Sequence, residues 1–128
     1  MSTAITRGLR VTVQCVYLKE QSVPRERRYR FAYTVRIKNE GRETVQLEGR
    51  HWIITNADGR VDEVRGAGVV GAQPTLPPGQ GFEYTSGCEL ATPRGTMKGT
   101  YQMIVAESGE RFDADIAAFD LVPPFSLN

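Results

Sequence analysis

Apolar residues recur at every second position along most of this chain. Leu9, Val11, Val13, Cys15 and Tyr17 alternate with Arg10, Thr12 and Gln14, the pattern of a strand with one buried face. Tyr29, Phe31, Tyr33, Val35 and Ile37 repeat it against Arg30, Thr34, Arg36 and Lys38, and Asn39-Glu40-Gly41 supplies a turn. Val45 and Leu47 mark a short third strand. Residues 51–55 form a fourth, with Trp52 and Ile54 on one face and His51 and Ile53 on the other. Asn56-Ala57-Asp58-Gly59 is turn chemistry leading into a short strand over 61–64. Further strands are expected over 82–90 and 97–106. After Ser108-Gly109, Phe112, Ala114 and Ile116 point one way and Asp113 and Asp115 the other; Phe119 and Leu121 continue the apolar pattern up to Pro123-Pro124.

About eight short strands with turn signals between them predict an all-β fold, an antiparallel sandwich or small barrel, and the short strands and varied connections favour the sandwich. Only residues 114–119 tolerate a helix, and that stretch is too short to form one unaided. A length of 128 residues suits one domain over 1–128, with no internal repeat and no linker to divide it. Two connections are long, residues 19–28 and 66–81, and long loops on a rigid scaffold are where binding concentrates.

Charge adds little. The formal net charge is +1, which gives no general attraction to nucleic acid or acidic lipid. The run Arg25-Glu26-Arg27-Arg28-Tyr29-Arg30 reads as a solvated strand face. No apolar run approaches the length of a membrane span. Residues 1–8 lack the apolar stretch of a secretory signal, so a cytoplasmic protein with Cys15 and Cys88 as free thiols is the expectation. His51 is the only histidine. No metal-ligand spacing, nucleophile elbow or carboxylate pair is present, so neither catalytic residue, metal nor cofactor is expected, and the chain reads as non-enzymatic. Asp113, Asp115 and Glu83 are the only loose candidates for an oxygen-ligand cation sensor.

The segment Gly66-Ala67-Gly68-Val69-Val70-Gly71 fits the phosphate-binding spacing GxGxxG. A dinucleotide fold needs a helix to follow, but Pro74, Pro77 and Pro78 interrupt one. Two readings follow: a glycine-shaped loop, or a nest of backbone N–H groups that holds a phosphate-containing ligand. The candidate binding residues are Gly66, Gly68, Gly71, Gln73 and Pro74, with Thr85, Ser86 and Gly87 as neighbours.

In combination these pieces are specific. Residues 66–74 (GAGVVGAQP), Pro78-Gly79, residues 84–87 (YTSG), residues 92–101 (TPRGTMKGTY) and the close over 116–121 resemble the signature of the ApaG family, as do residues 33–39 and Arg50-His51-Trp52 upstream. The resemblance covers nearly the whole chain. It implies an immunoglobulin-like, fibronectin type III-like antiparallel β-sandwich in a bacterial cytoplasmic protein, an association with cobalt and magnesium resistance, and a role in protein–protein contacts. It carries over no catalytic residue. The partner expected is therefore a protein, with a nucleotide or pyrophosphate as the alternative ligand, and pairing of edge strands into a homodimer is compatible with the fold.

Overall fold

The structure, a computed structural model, describes residues 1–124; residues 125–128 of the expected domain lie outside the described residues. Nine strands are present among them: β1 Ser2–Thr6, β2 Leu9–Tyr17, β3 Tyr29–Asn39, β4 Val45–Asn56, β5 Val61–Ala67, β6 Thr75–Leu76, β7 Gly81–Leu90, β8 Gly95–Val105 and β9 Arg111–Leu121. Two single 3-10 turns, Lys19–Gln21 and Pro24–Glu26, fill the first long loop. All strand pairs are antiparallel. One sheet runs β1-β2-β3-β7 and the other β5-β4-β8-β9, with β6 also on β4. The two pack face to face as the expected sandwich, and β9 lies against β1 and β2 to close one side.

Alternation explains the core. Leu9, Val11, Val13, Phe31, Val35 and Ile37 of the first sheet face Leu47, Trp52, Met97, Tyr101, Met103, Ala114 and Leu121 of the second, all buried. Trp52 is the largest of these. It meets Tyr33 of the opposite sheet edge-on at 5.2 Å, and Phe119 and Tyr101 of its own sheet at 6.0 and 6.3 Å, the geometry aromatic quadrupoles prefer. The hydroxyls of Tyr84 on β7 and Tyr101 on β8 hydrogen-bond across the core and satisfy each other.

Three elements differ from the sequence expectation. The strands expected at 45–47 and 51–55 are one strand, β4. Leu47 pairs with Met103 and Gly49 with Gln102, so Glu48 is an extra residue, a β-bulge that shifts the inward positions from odd to even. The changed phase made one strand look like two. β9 does the same: Ile116 pairs with Gly99 and Phe119 with Met97, so a bulge interrupts the alternation expected to run on to Leu121, while residues 114–119 are extended, as the strand pattern and the shortness of any helix there predicted. β1 carries too few apolar residues to show a period, yet pairs with β2 from Ser2↔Val13 to Thr6↔Leu9.

Gly99 lies opposite Trp52 in the β4–β8 pair. A Cβ there would sit 2.1 Å from the His51 carbonyl oxygen, so only glycine permits this approach. Gly99→Ala is expected to destabilise the fold by about 3 kcal/mol, the upper end of ordinary overpacking, measured by urea denaturation.

Candidate functional site

The side of the sandwich opposite β9 is open. It is bounded by the outer edges of β7 and β5, and a cleft of about 260 Å³ lies between the layers there. Its walls are Val64 of β5, Ser86 and Cys88 of β7, and Ile54 and Met97, with Tyr33, Trp52 and Arg50 deeper in. The Glu48 bulge places Arg50 on the same face as Trp52, so a guanidinium enters an interlayer space that unbroken alternation would have given to a neighbour. Trp52 is 2% exposed, and its indole N–H has no hydrogen-bond partner. Burial without an acceptor costs free energy.

The glycine segment adjoins this cleft through Arg50, whose Nη1 donates to the carbonyls of Ala67 and Gly68 at 3.0 and 2.9 Å. Gly66 makes room for it: a Cβ on Gly66 would sit 2.7 Å from Nη1. Gly66 and Ala67 belong to β5, so the loop begins later than its composition indicated. Gly68 N–H then donates to Glu48 O, and Val69 and Ala72 bond each other in both directions. Val70 at φ 42° and Gly71 at φ 82° make the two central positions of a tight reverse turn, the type I′ geometry of hairpins. The GxGxxG spacing is therefore a closed hairpin tip. The amides of Gly68, Val69 and Ala72 are spent on carbonyls, so these three donors are not turned toward an anion.

Gln73 and Pro74 fasten the return. Gln73 Nε2 donates to Glu48 O, Gln46 Nε2 donates to Gln73 O, and Leu47 N–H donates to Pro74 O. Thr85, Ser86 and Gly87 do not act together. Ser86 faces the cleft, whereas Thr85 points outward to share a hydrogen bond of 2.8 Å with Thr34. Gly87 borders the cleft from the β7 edge.

The other candidates disperse. Glu83 is ion-paired with Arg36 in the first sheet, while Asp113 and Asp115 lie on β9 in the second, so the proposed oxygen-ligand set is not assembled. Arg28 and Arg30 both reach Glu89 at 3.5 Å, and Arg27 reaches Asp58 at 3.3 Å. His51 Nε2 contacts Glu63 Oε1 at 2.7 Å on the outer face of the second sheet. Both cysteines are free, and burial pushes each thiol up to about 11. Burial likewise raises the Tyr33, Tyr84 and Tyr101 phenols. No helix among the described residues is long and apolar enough to cross a membrane.

Sequence reasoning missed Arg50, Val64, Tyr33 and Cys88 as cleft residues. The signal for Arg50 was the change of apolar phase between Leu47 and Trp52, which is what a bulge writes into a sequence.

Fold and cleft define a two-layer antiparallel β-sandwich with one side left open. The ApaG domain model matches residues 19–105. The chain is 59% identical to Protein ApaG of Rhodospirillum centenum over 124 residues, covering 97% of this chain and 95% of that one. It is 54% identical to Protein ApaG of Anaeromyxobacter dehalogenans over the full length of both. A crystal structure of a protein described as ApaA from Bordetella pertussis superposes with a TM-score of 0.88 at 55% identity, covering 91% of this chain and 94% of that one. The chain belongs to the ApaG family.

Two expectations follow. At Val70 a β-branched residue holds a left-handed conformation that costs about 1–2 kcal/mol, so Val70→Asn should raise the urea midpoint. Gly68→Ala should lower it, because a Cβ at Gly68 would lie 2.3 Å from Ala72 O. Second, the unfolded thiols titrate near 9.0 and the folded ones near 11. The folded state therefore holds these protons more tightly, and stability present below pH 9 is lost as pH rises toward 11. Urea melts at pH 8 and pH 11 test this. A Cys15→Ala/Cys88→Ala variant should lose less stability between the two than the wild type.

Proposed function

We propose that this protein is a non-enzymatic binding module that receives an extended segment of a partner protein on its open side. One observation carries the reading: a cleft between two unpaired strand edges contains a buried indole N–H that lacks an acceptor. The Arg50 guanidinium and the Ser86 and Tyr33 hydroxyls add further polar groups that can donate. A backbone carbonyl of an incoming strand supplies the acceptor that the indole lacks, and its apolar side chains would cover Val64, which is 41% exposed.

The β7 edge fits such a segment. Asn39 N–H donates to Gln80 O, and hydrogen-bonded pairs alternate along an antiparallel ladder. In the β3–β7 register, Phe82, Tyr84, Ser86 and Cys88 then bond β3, while Glu83, Thr85, Gly87 and Glu89 turn their backbone groups outward. Strand addition uses such an edge for affinity and the adjoining pocket for specificity. In this reading Gly66 and Gly68 support the site through Arg50 and do not touch the partner. An association with cobalt and magnesium resistance would be indirect, through a cytoplasmic protein partner. Pyrophosphate or nucleotide binding is the weaker reading, since the amides of Gly68, Val69 and Ala72 are engaged with carbonyls.

Gly87→Pro removes an outward N–H without entering the core. It is expected to melt like wild type and to lose at least about tenfold in recovered partner, the scale of one or two lost edge hydrogen bonds. Affinity capture with both forms tests this, with the fluorescence of Trp52, the only tryptophan, as the binding signal. Equal recovery by both forms removes the β7 edge from consideration. Titration with ATP or pyrophosphate should leave the amide signals of residues 66–71 unchanged; a saturable shift there would favour the anion reading.

A further inference from the structure

We propose that β5 is a self-complementary edge through which a second copy of this chain binds, extending the second sheet across a two-fold axis at Val64. The inference rests on the β5 edge; the partner segment of the preceding reading pairs with the β7 edge, and the two meet at Val64.

The geometry begins with hydrogen bonding. Asn56 N–H donates to Arg60 O and Gly68 N–H donates to Glu48 O, so the even-numbered residues of β5 pair with β4. Val61, Glu63 and Arg65 therefore direct their N–H and C=O groups to the open edge, and so does the N–H of Ala67, whose carbonyl already accepts from Arg50. A neighbouring antiparallel strand must match odd residues with odd ones. Among registers of β5 against its own copy, one places Glu63 opposite Arg65 of the second copy and, by symmetry, Arg65 opposite Glu63. Sliding by one step in either direction puts Glu63 against Glu63, or Arg65 against Arg65, across the axis.

The favoured register also suits the other face. Val64 meets Val64 of the second copy on the interlayer side, where each is otherwise 41% exposed, and Val61, 55% exposed, lies opposite Ala67. Asp62 falls opposite Gly66, which presents no side chain. Glu63 and Arg65 are 55% and 73% exposed and only 3.9 Å apart within one chain, so both can reach across. Glu63 is also bonded to His51, which fixes its carboxylate on the outer face. Opposite charges at directly facing positions stabilise a strand pair, and like charges destabilise it. β7 lacks this property: pairing with its copy about Ser86 would place Glu83 against Glu89. An isologous contact of this type closes as a dimer and leaves neither copy's β5 edge free to aggregate. Each cleft would then gain Val64 of the second copy at its mouth.

The test is sedimentation equilibrium of the full chain from about 1 to 500 μM, a span suited to micromolar affinity. Wild type is expected to dimerise. Glu63→Arg and Arg65→Glu should each weaken the dimer at least about tenfold, because each sets like charges together twice. A one-to-one mixture of the E63R and R65E chains should recover dimer, since every facing pair is again opposite in sign. Should E63R not melt cooperatively through loss of the His51 contact, Arg65→Pro, which deletes an edge N–H, must abolish the dimer by itself. A wild type that stays monomeric throughout overturns the proposal. So do single variants that dimerise as well as wild type, and a mixture that gains nothing over its components.

Discussion

The packing of Trp52 constrains the rest of this molecule. Its indole spans the space between the sheets, edge-on to Tyr33 above and to Phe119 and Tyr101 alongside. Burying so large an apolar surface is a leading contribution to a core of this size. Opposite Trp52 on the neighbouring strand stands Gly99, where the β4 and β8 backbones approach too closely for a side chain. Burying the indole also strands a donor, because the ring that best fills the core carries an N–H for which the core offers no acceptor. The most stabilising residue and the unmet hydrogen-bonding demand are thus the same side chain, lining the side where the sandwich is open.

Two bulges turn that packing into a site. At Glu48 the inserted residue reverses the phase of β4, which brings Trp52 inward and with it Arg50. Arg50 then binds the carbonyls of Ala67 and Gly68, in the space that Gly66 leaves. The second bulge lets Ile116 and Phe119 both face the core although three positions apart. Bulges reorient side chains in this way wherever an added residue must be absorbed without breaking the ladder.

The open side follows from unequal closure. β9 covers the sandwich at β1 and β2, but among the described residues β5 and β7 belong to different sheets and do not pair. Edge strands normally carry protection against association. On β5 the charges are of both signs and symmetrically placed, which selects a register rather than preventing contact. On β7 the flanking acids, Glu83 and Glu89, are each held by arginines of β3 or the loop before it, and the edge between them is uncharged.

Much of the fold was legible in the sequence because period-two alternation reports a half-buried strand directly. β2, β3, β7 and β8 were all visible this way, and the family was readable from local motifs. Elements that break the period were not. β4 looked like two strands, the bulge in β9 was read through as unbroken alternation, and β1 was silent because it has few apolar residues to mark a phase. The glycine segment was legible as a loop, but its role required the tertiary structure. Spacing alone cannot say whether an amide faces a ligand or a carbonyl, and here the amides of Gly68, Val69 and Ala72 face carbonyls. The cleft was hidden for the same reason. Tyr33, Arg50, Val64 and Cys88 lie on four different strands, and their meeting depends on how two sheets stack, which local sequence does not encode.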